Sequence, residues 1–336
     1  MPAYLLTVPP GLERVAGDEL AAKLPGATVR ETERGRIVVE ASASDSDLLA
    51  LRTVDNVYVF LGEVRIGPHR ADLPALGRCA ADLLDAHAAQ RPVTLWVNAS
   101  RRGPHSYSRF EAADAVAGAV LHRRPRWRLG TPAEHSVELR LDLDGERAWL
   151  SRRLSPPELR WRGRERAFAA AALRPPTAHA LVWLTAPSAQ DVFLDPFCGS
   201  GTIVLERAAY DAQRIVGSDV AADAIASARE NAGGARLELH QWDARSLPLD
   251  ARSVDAVATN LPFGRQVLDA AALPGLYLDW ARELQRILAP GGVAIALTER
   301  PDVLLHAVQR TRLRAEQVLT LSLKGLRPEI VRLGLG

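Results

Sequence analysis

The sequence predicts an α/β protein: a C-terminal doubly wound, mainly parallel sheet with antiparallel strands at its end, preceded by two smaller α+β units. Three observations predict this. From residue 191 onward, short apolar runs alternate regularly with amphipathic segments, the pattern of parallel strands joined by crossover helices. That region opens on Asp191-Val-Phe-Leu-Asp-Pro-Phe-Cys-Gly-Ser-Gly-Thr-Ile203, an apolar strand that breaks into a glycine loop and then a helical pattern. Upstream, strand and helix patterns close on a hairpin signal, Asp144-Gly145, between alternating runs over 136–143 and 147–152.

Taken in order, residues 3–8 read as a strand, 11–24 as a helix with Leu12, Val15, Leu20 and Leu24 on or near one face, and 36–40 as a strand. Residues 45–51 read as a short helix capped by Ser44 or Asp45. These make a first unit over 1–55. A strand at 57–64, a helix at 73–89 with Leu76, Ala80, Leu83 and Leu84 inward, a strand from Val93 into the basic loop Ala99-Ser-Arg-Arg-Gly-Pro-His-Ser, a helix at 111–121 and the hairpin make a second unit over 56–155. Residues 156–174 are polar and basic without a clean period and read as a linker. Pro175 and Pro176 start a helix that opens the last unit, 175–336. Within it, strands are expected at 191–195, 214–218, 236–240, 254–259, 292–297, 315–322 and 328–334, and helices at 202–210, 221–231, 276–288 and 302–309.

Composition narrows the function. A chain of 336 residues, 47% hydrophobic, can bury two or three cores. The opening MPAYLLTVPPG has no basic segment before its short apolar run, and no stretch reaches the roughly 18 uninterrupted apolar residues of a membrane span, so a cytoplasmic protein without a membrane partner is expected. Cys79 and Cys198 are the two cysteines, which supports neither a disulfide framework nor a zinc cluster; no metal is expected. Of 42 basic residues two are lysine, a skew that reads as a composition bias of the source genome. The distribution says more: residues 101–174 carry 16 Arg against nine acids, a net of +7 in a chain of net +2, so the remainder is −5. Such a concentration suits a polyanionic partner.

Ligands of doubly wound sheets sit beyond the carboxyl ends of the strands. Asp195 ends the first strand of the last unit, Asp219 the second, and Asp243 follows the third. Alone, each is an ordinary turn or cap residue; together, at successive strand ends, they describe a small-ligand site. The loop itself is neither of the common phosphate-binding loops. Thr202 and Ile203 stand where a P-loop needs Lys after its second glycine, and Val204 where the dinucleotide fingerprint needs a small residue. After the fourth strand comes Asn260-Leu-Pro-Phe-Gly264.

DPFCGSGT resembles the first motif of the class I S-adenosylmethionine-dependent methyltransferases, in the version found in enzymes that methylate exocyclic amines of nucleic-acid bases. The resemblance implies a Rossmann-like methyltransferase sheet with S-adenosylmethionine as cofactor. It implies cofactor contacts from Thr177, Asp195, Phe197, Cys198, Gly199, Ser200, Gly201 and Thr202. Further contacts come from Asp219 on the ribose hydroxyls with Val220 beside it, and from Asp243 and the Ala244 amide on adenine. Asn260 to Phe263 is similar to the Asn/Asp-Pro-Pro-Tyr/Phe motif of these enzymes. There Asn260 and the carbonyl of Leu261 accept from the target amine, Pro262 stiffens the turn and Phe263 stacks on an extruded base. The family has Pro where Leu261 stands, and a His-Pro pair where this chain has Ala170, Ala171 and Ala172.

The strand, basic loop, helix and hairpin of 56–155 resemble the THUMP domain of tRNA-modifying enzymes, with a ferredoxin-like domain preceding it over 1–55. That resemblance implies a tRNA partner gripped near its acceptor end, candidate RNA contacts at Arg101, Arg102, Arg109, Arg162 and Arg164, and a monomer. The expected reaction is methyl transfer to guanine N2 of tRNA. The five residues Asn260 to Gly264 do not separate guanine N2 from adenine N6, and ribosomal RNA or a non-catalytic RNA-binding role are the alternatives.

Overall fold

The computed structural model describes residues 1–85, 93–162, 172–263, 270–323 and 325–336. Two sheets organise them. The first holds β1 (Ala3–Thr7), β2 (Thr28–Glu33), β3 (Arg36–Glu40), β4 (Asn56–Arg65), β5 (Thr94–Arg102), β6 (Arg128–Leu129), β7 (Val137–Asp144) and β8 (Arg147–Arg153). It is eight-stranded, in the order β2-β3-β1-β4-β8-β7-β5-β6. Helices α1 (Glu13–Lys23), α2 (Asp45–Leu49), α3 (Leu73–Asp85) and α4 (Arg109–Arg123) accompany it. Ser44 and Asp47 form a capping box at the start of α2, and Ser108 and Glu111 do the same for α4, so Arg109 opens the helix instead of ending the loop.

The four strands β2-β3-β1-β4 are antiparallel to their neighbours, the arrangement of a βαββαβ unit. The sequence reading passed over β2, because TVRETE carries one apolar residue and forms an exposed edge with no buried face to impose alternation. Between residues 55 and 56 the sheet is unbroken. Asn56–Val59 of β4 pair with β1, while Tyr58–Arg65 pair with β8, so one strand completes both units.

The second sheet holds β9 (Val192–Asp195), β10 (Arg214–Asp219), β11 (Glu238–Gln241), β12 (Val254–Asn260), β13 (Leu288–Thr298), β14 (Leu313–Thr320) and β15 (Glu329–Leu335). Its order is β11-β10-β9-β12-β13-β15-β14. The final strand inserts between β13 and β14 and runs antiparallel to both, which leaves β14 parallel to the rest. Helices α5 (Pro175–Leu184), α6 (Thr202–Arg207), α7 (Ala222–Ala232), α8 (Leu273–Ile287) and α9 (Pro301–Val308) pack around it. Leu12, just before α1, and Val15 of α1 are buried in the same cluster as Ala178, Leu181, Phe193 and Ile203, so the N-terminal unit shares a core with this sheet.

The seam is also polar. Glu206 of α6 is fully buried and takes Arg52 on one carboxylate oxygen, at 2.8–2.9 Å, and Arg162 on the other, at 3.3 Å. His179 of α5, equally buried, lies 3.0 Å from the Thr53 hydroxyl and 2.6 Å from that of Tyr210. Burial holds its imidazole near pKa 3, hence neutral. No helix among the described residues is long and apolar enough to cross a membrane.

Candidate active site

The carboxyl ends of β9, β10, β11 and β12 form one ledge, with Asp195, Asp219 and Asn260 at the strand ends and Asp243 two residues beyond β11. Gly199 and Gly201 adopt φ of 52° and 83°, backbone that a side chain rarely takes, and a Cβ on Gly201 would lie 3.2 Å from the Ala228 methyl. Asp219 holds this loop: its carboxylate accepts from the Gly199 and Ala221 amides, both at 3.0 Å. These two bonds leave lone pairs on each oxygen for a ligand. Beside it Val220 is 66% exposed, an apolar side chain standing open on the ledge, with its carbonyl held by Gln241 at 3.0 Å.

Asp195 Oδ2, Asn260 Oδ1 and Ser200 Oγ along this edge, and Thr177 Oγ1 near the start of α5, are buried with no hydrogen-bond partner among the described residues. Buried polar groups in folded proteins are almost always satisfied, so at a strand edge that also carries the glycine loop such atoms are available to a polar ligand; the other unpartnered atoms, such as Ser151 Oγ in β8, lie away from it. Asp195 and Asn260 end neighbouring strands, and Thr259, one residue before Asn260, donates its hydroxyl to Asp195 Oδ1 at 2.8 Å. The Phe197 amide reaches the same oxygen at 3.2 Å. Burial nevertheless pushes the Asp195 carboxyl up to about 7, helped by the nearby Asp219 charge. Burial also drives the Cys198 thiol far upward, so it stays protonated and packs the loop; it is no nucleophile.

Asp243 differs from expectation. Both of its oxygens engage the Arg245 guanidinium, at 2.6–3.0 Å, and that pairing holds the carboxyl below its ordinary range. An adenine amine arriving there competes with Arg245. Ala244 is buried beside it.

The turn after β12 is anchored on both sides. Leu261 is buried and its N–H donates to the Leu297 carbonyl at 2.9 Å, a bond that the family's proline lacks a donor to make. Tyr277 of α8 donates to the Pro262 carbonyl at 2.9 Å and meets the Thr298 hydroxyl at 2.9 Å. Burial raises its phenol to about 12, so it remains a donor at neutral pH. Sequence reasoning missed Thr259, Tyr277 and Thr298. Tyr277 falls on the apolar face of α8 with Trp280 and Leu284 and carries no separate signal. Phe263 is half-buried, Phe197 stacks edge-on against Trp280, and Thr202 opens α6 in the buried core; Gly264 lies outside the described residues.

The predicted RNA contacts divide. Arg102 is exposed and pairs with Asp144 at 3.1 Å, and Arg109 is exposed with its guanidinium 4.7 Å from the ring centre of Phe110. Arg101 donates to the carbonyls of His105 and Tyr107, at 2.9 and 2.8 Å, and so shapes the basic loop. Arg162 is a correction: its side chain is 9% exposed and is spent on Glu206 and on the carbonyls of Leu159 and Arg52, which makes it part of the seam between the two halves and not an RNA contact. Arg164, Ala170 and Ala171 lie outside the described residues.

Comparison with known proteins agrees with this geometry. Residues 162–329 match the family UPF0020, described as RMKL-like, methyltransferase domain. The tRNA (guanine(6)-N2)-methyltransferase of Thermus thermophilus is 32% identical over 320 residues, 90% of each chain. The crystal structure of TrmN from Thermus thermophilus superposes over 100% of both chains with a TM-score of 0.81 at 27% identity. The human tRNA (guanine(6)-N(2))-methyltransferase THUMP3 is 29% identical over 234 residues, 64% of this chain and 46% of that longer protein. The chain therefore belongs to the RMKL-like methyltransferase domain family, among the class I S-adenosylmethionine-dependent enzymes related to tRNA guanine-N2 methyltransferases.

Proposed function

We propose that the protein methylates the exocyclic N2 of a guanosine in tRNA, with guanosine 6, the position named for its bacterial and human relatives, as the target. The observation that carries this reading is the unpartnered, buried Asn260 Oδ1 at the end of β12, next to the strand that delivers the glycine loop. An aromatic amine is a poor nucleophile because its lone pair is delocalised into the ring. Asn260 Oδ1 and the Leu261 carbonyl accept its two N–H groups and aim the nitrogen lone pair, while Phe263 stacks on the extruded base. Bound S-adenosylmethionine supplies an electrophilic methyl group. Thr177, Asp195 and Ser200 satisfy its polar methionine end. Asp219 takes the ribose, Val220 packs the adenine, and Asp243 with Ala244 reads the adenine edge. Phe197, Cys198, Gly199, Gly201 and Thr202 form the surrounding loop. Transfer would break the sulfonium S–CH3 bond as the N2–CH3 bond forms, with S-adenosylhomocysteine as the leaving group, and the proton lost from N2 would go to water.

The units over 1–55 and 56–155 act as ferredoxin-like and THUMP domains that grip the tRNA acceptor end, with Arg102 and Arg109 as contacts and Arg101 shaping the loop. The enzyme acts as a monomer in the cytoplasm. Incubation of tRNA transcripts with the protein and labelled cofactor, followed by nucleoside mass spectrometry and fragment mapping, is expected to give N2-methylguanosine at nucleotide 6. Label on adenosine alone, or label only in a parallel incubation with ribosomal RNA, would overturn the assignment. Asn260→Ala is expected to lose turnover while keeping S-adenosylhomocysteine affinity.

A further inference from the structure

β15 is antiparallel to both β13 and β14, and β13 is parallel to β12, so the carboxyl end of β14 leaves the sheet at the same edge as Asn260. Three inter-strand spacings separate β12 from β14, roughly 14 Å along that edge. There the segment Thr320 to Ser322 meets the N-terminal unit. The Ser322 N–H donates to the Pro10 carbonyl at 2.9 Å, and the approach at Gly11 is so close that a Cβ would lie 2.5 Å from the Thr320 carbonyl oxygen. Between this seam and the turn joining β2 to β3 lies a groove of about 580 Å³.

The groove contains two acids and two arginines, and both acids already face amides or cations, although Glu33 Oε2 makes no hydrogen bond among the described residues. Glu13 accepts the Gly11 and Gly35 amides, at 2.6–3.1 Å, and Glu33 pairs with Arg36 and Arg147, at 3.4 and 3.2 Å. Arg34 and Arg327, both exposed on the groove walls, meet no carboxylate among the described residues; Arg34 donates only to the Ser322 hydroxyl, at 2.7 Å. Two guanidinium groups, one from each unit, in a lining that also holds the Ser322 and Thr32 hydroxyls, match the donor set that proteins turn toward a phosphodiester.

We propose that this groove holds the phosphodiester backbone of the RNA substrate a few nucleotides from the methylated base. Arg34 comes from the N-terminal unit and Arg327 from the catalytic unit, so the strand is fixed against both at once. The proposal rests on the reading of the substrate as RNA.

The test is binding of a fluorescently labelled tRNA transcript by anisotropy over a range of salt, for wild type and for Arg34→Gln/Arg327→Gln, alongside methyl incorporation into the same transcript. The double variant is expected to bind at least tenfold more weakly at low salt, with the slope of log K against log salt shallower by about one to two. Each single variant shows part of the change, and Arg→Lys at both positions restores the slope. Affinity for S-adenosylhomocysteine and the melting temperature stay at wild-type values, which separates the effect from misfolding. Unchanged RNA affinity and slope in the double variant would overturn the groove. Absence of methylation by the wild type would overturn the assigned reaction alone, because the binding comparison reads the groove independently.

Discussion

Asp195→Asn separates what a buried carboxyl costs the fold from what it gives the site. The carboxyl is fully buried, its Oδ2 has no hydrogen-bond partner among the described residues, and its pKa is raised from 3.8 to about 7. In the unfolded chain it ionises near its ordinary value. Between about pH 4 and pH 7 the folded protein therefore keeps a proton that the unfolded chain has lost, so stability falls as pH rises through that window and levels off above it. At about 1.4 kcal/mol per pH unit over roughly three units, the cost reaches on the order of 4 kcal/mol. Asparagine keeps an acceptor for Thr259 and Phe197 but cannot titrate. Its unpaired amide adds a penalty of about 1–3 kcal/mol that is the same at every pH. Urea unfolding near pH 4 and near pH 8 reads the difference: the variant gains stability relative to wild type as pH rises, by up to a few kcal/mol. Loss of S-adenosylhomocysteine affinity in the same variant is expected by calorimetry. A variant-minus-wild-type gap that is identical at the two pH values would refute the argument.

Three other substitutions probe the supports of the site. Tyr277→Phe removes both bonds of the phenol, to Pro262 and Thr298, and is expected to lower kcat about tenfold with cofactor affinity unchanged and stability reduced by about 1 kcal/mol; single-turnover kinetics and thermal melts check it. Leu261→Pro restores the residue common in the resembling motif but deletes the amide that bonds to Leu297, so a loss of about 1 kcal/mol or more is expected in urea unfolding, and not a gain in rigidity. Glu206→Gln leaves Arg52 and Arg162 facing a neutral side chain in a buried seam, with an expected loss of about 3 kcal/mol visible as a lower denaturant midpoint.

The glycine loop was legible in the sequence because Gly199 and Gly201 occupy backbone conformations that few other residues tolerate, and the acids because strand ends are marked by where the apolar runs stop. Asn260 stood out through the resemblance of Asn260 to Phe263 to a family motif, since Asn, Pro and Gly after a strand otherwise read as a turn. What escaped depends on contacts between elements. Thr259 and Tyr277 read as core until the partners they reach, Asp195 and Pro262, are placed opposite them. Arg162 read as one charge in a basic stretch, whereas its partner Glu206 stands 44 residues away and is buried. The place of β15 between β13 and β14 is a matter of spatial order that alternation along the chain does not encode. Arg245, by contrast, was in view two residues from Asp243, and local charge pairing alone could have warned that the acid is engaged.

Because β4 is hydrogen-bonded to β1 on one edge and to β8 on the other, the two N-terminal units are a single cooperative object. A chain cut at residue 55 would expose the β1 edge over Tyr4–Thr7, an apolar and otherwise buried stretch, as a template for intermolecular pairing. A chain begun at residue 56 would carry the converse scar along Asn56–Val59. Neither fragment inherits the eight-stranded sheet, whose two halves are joined through one ten-residue strand.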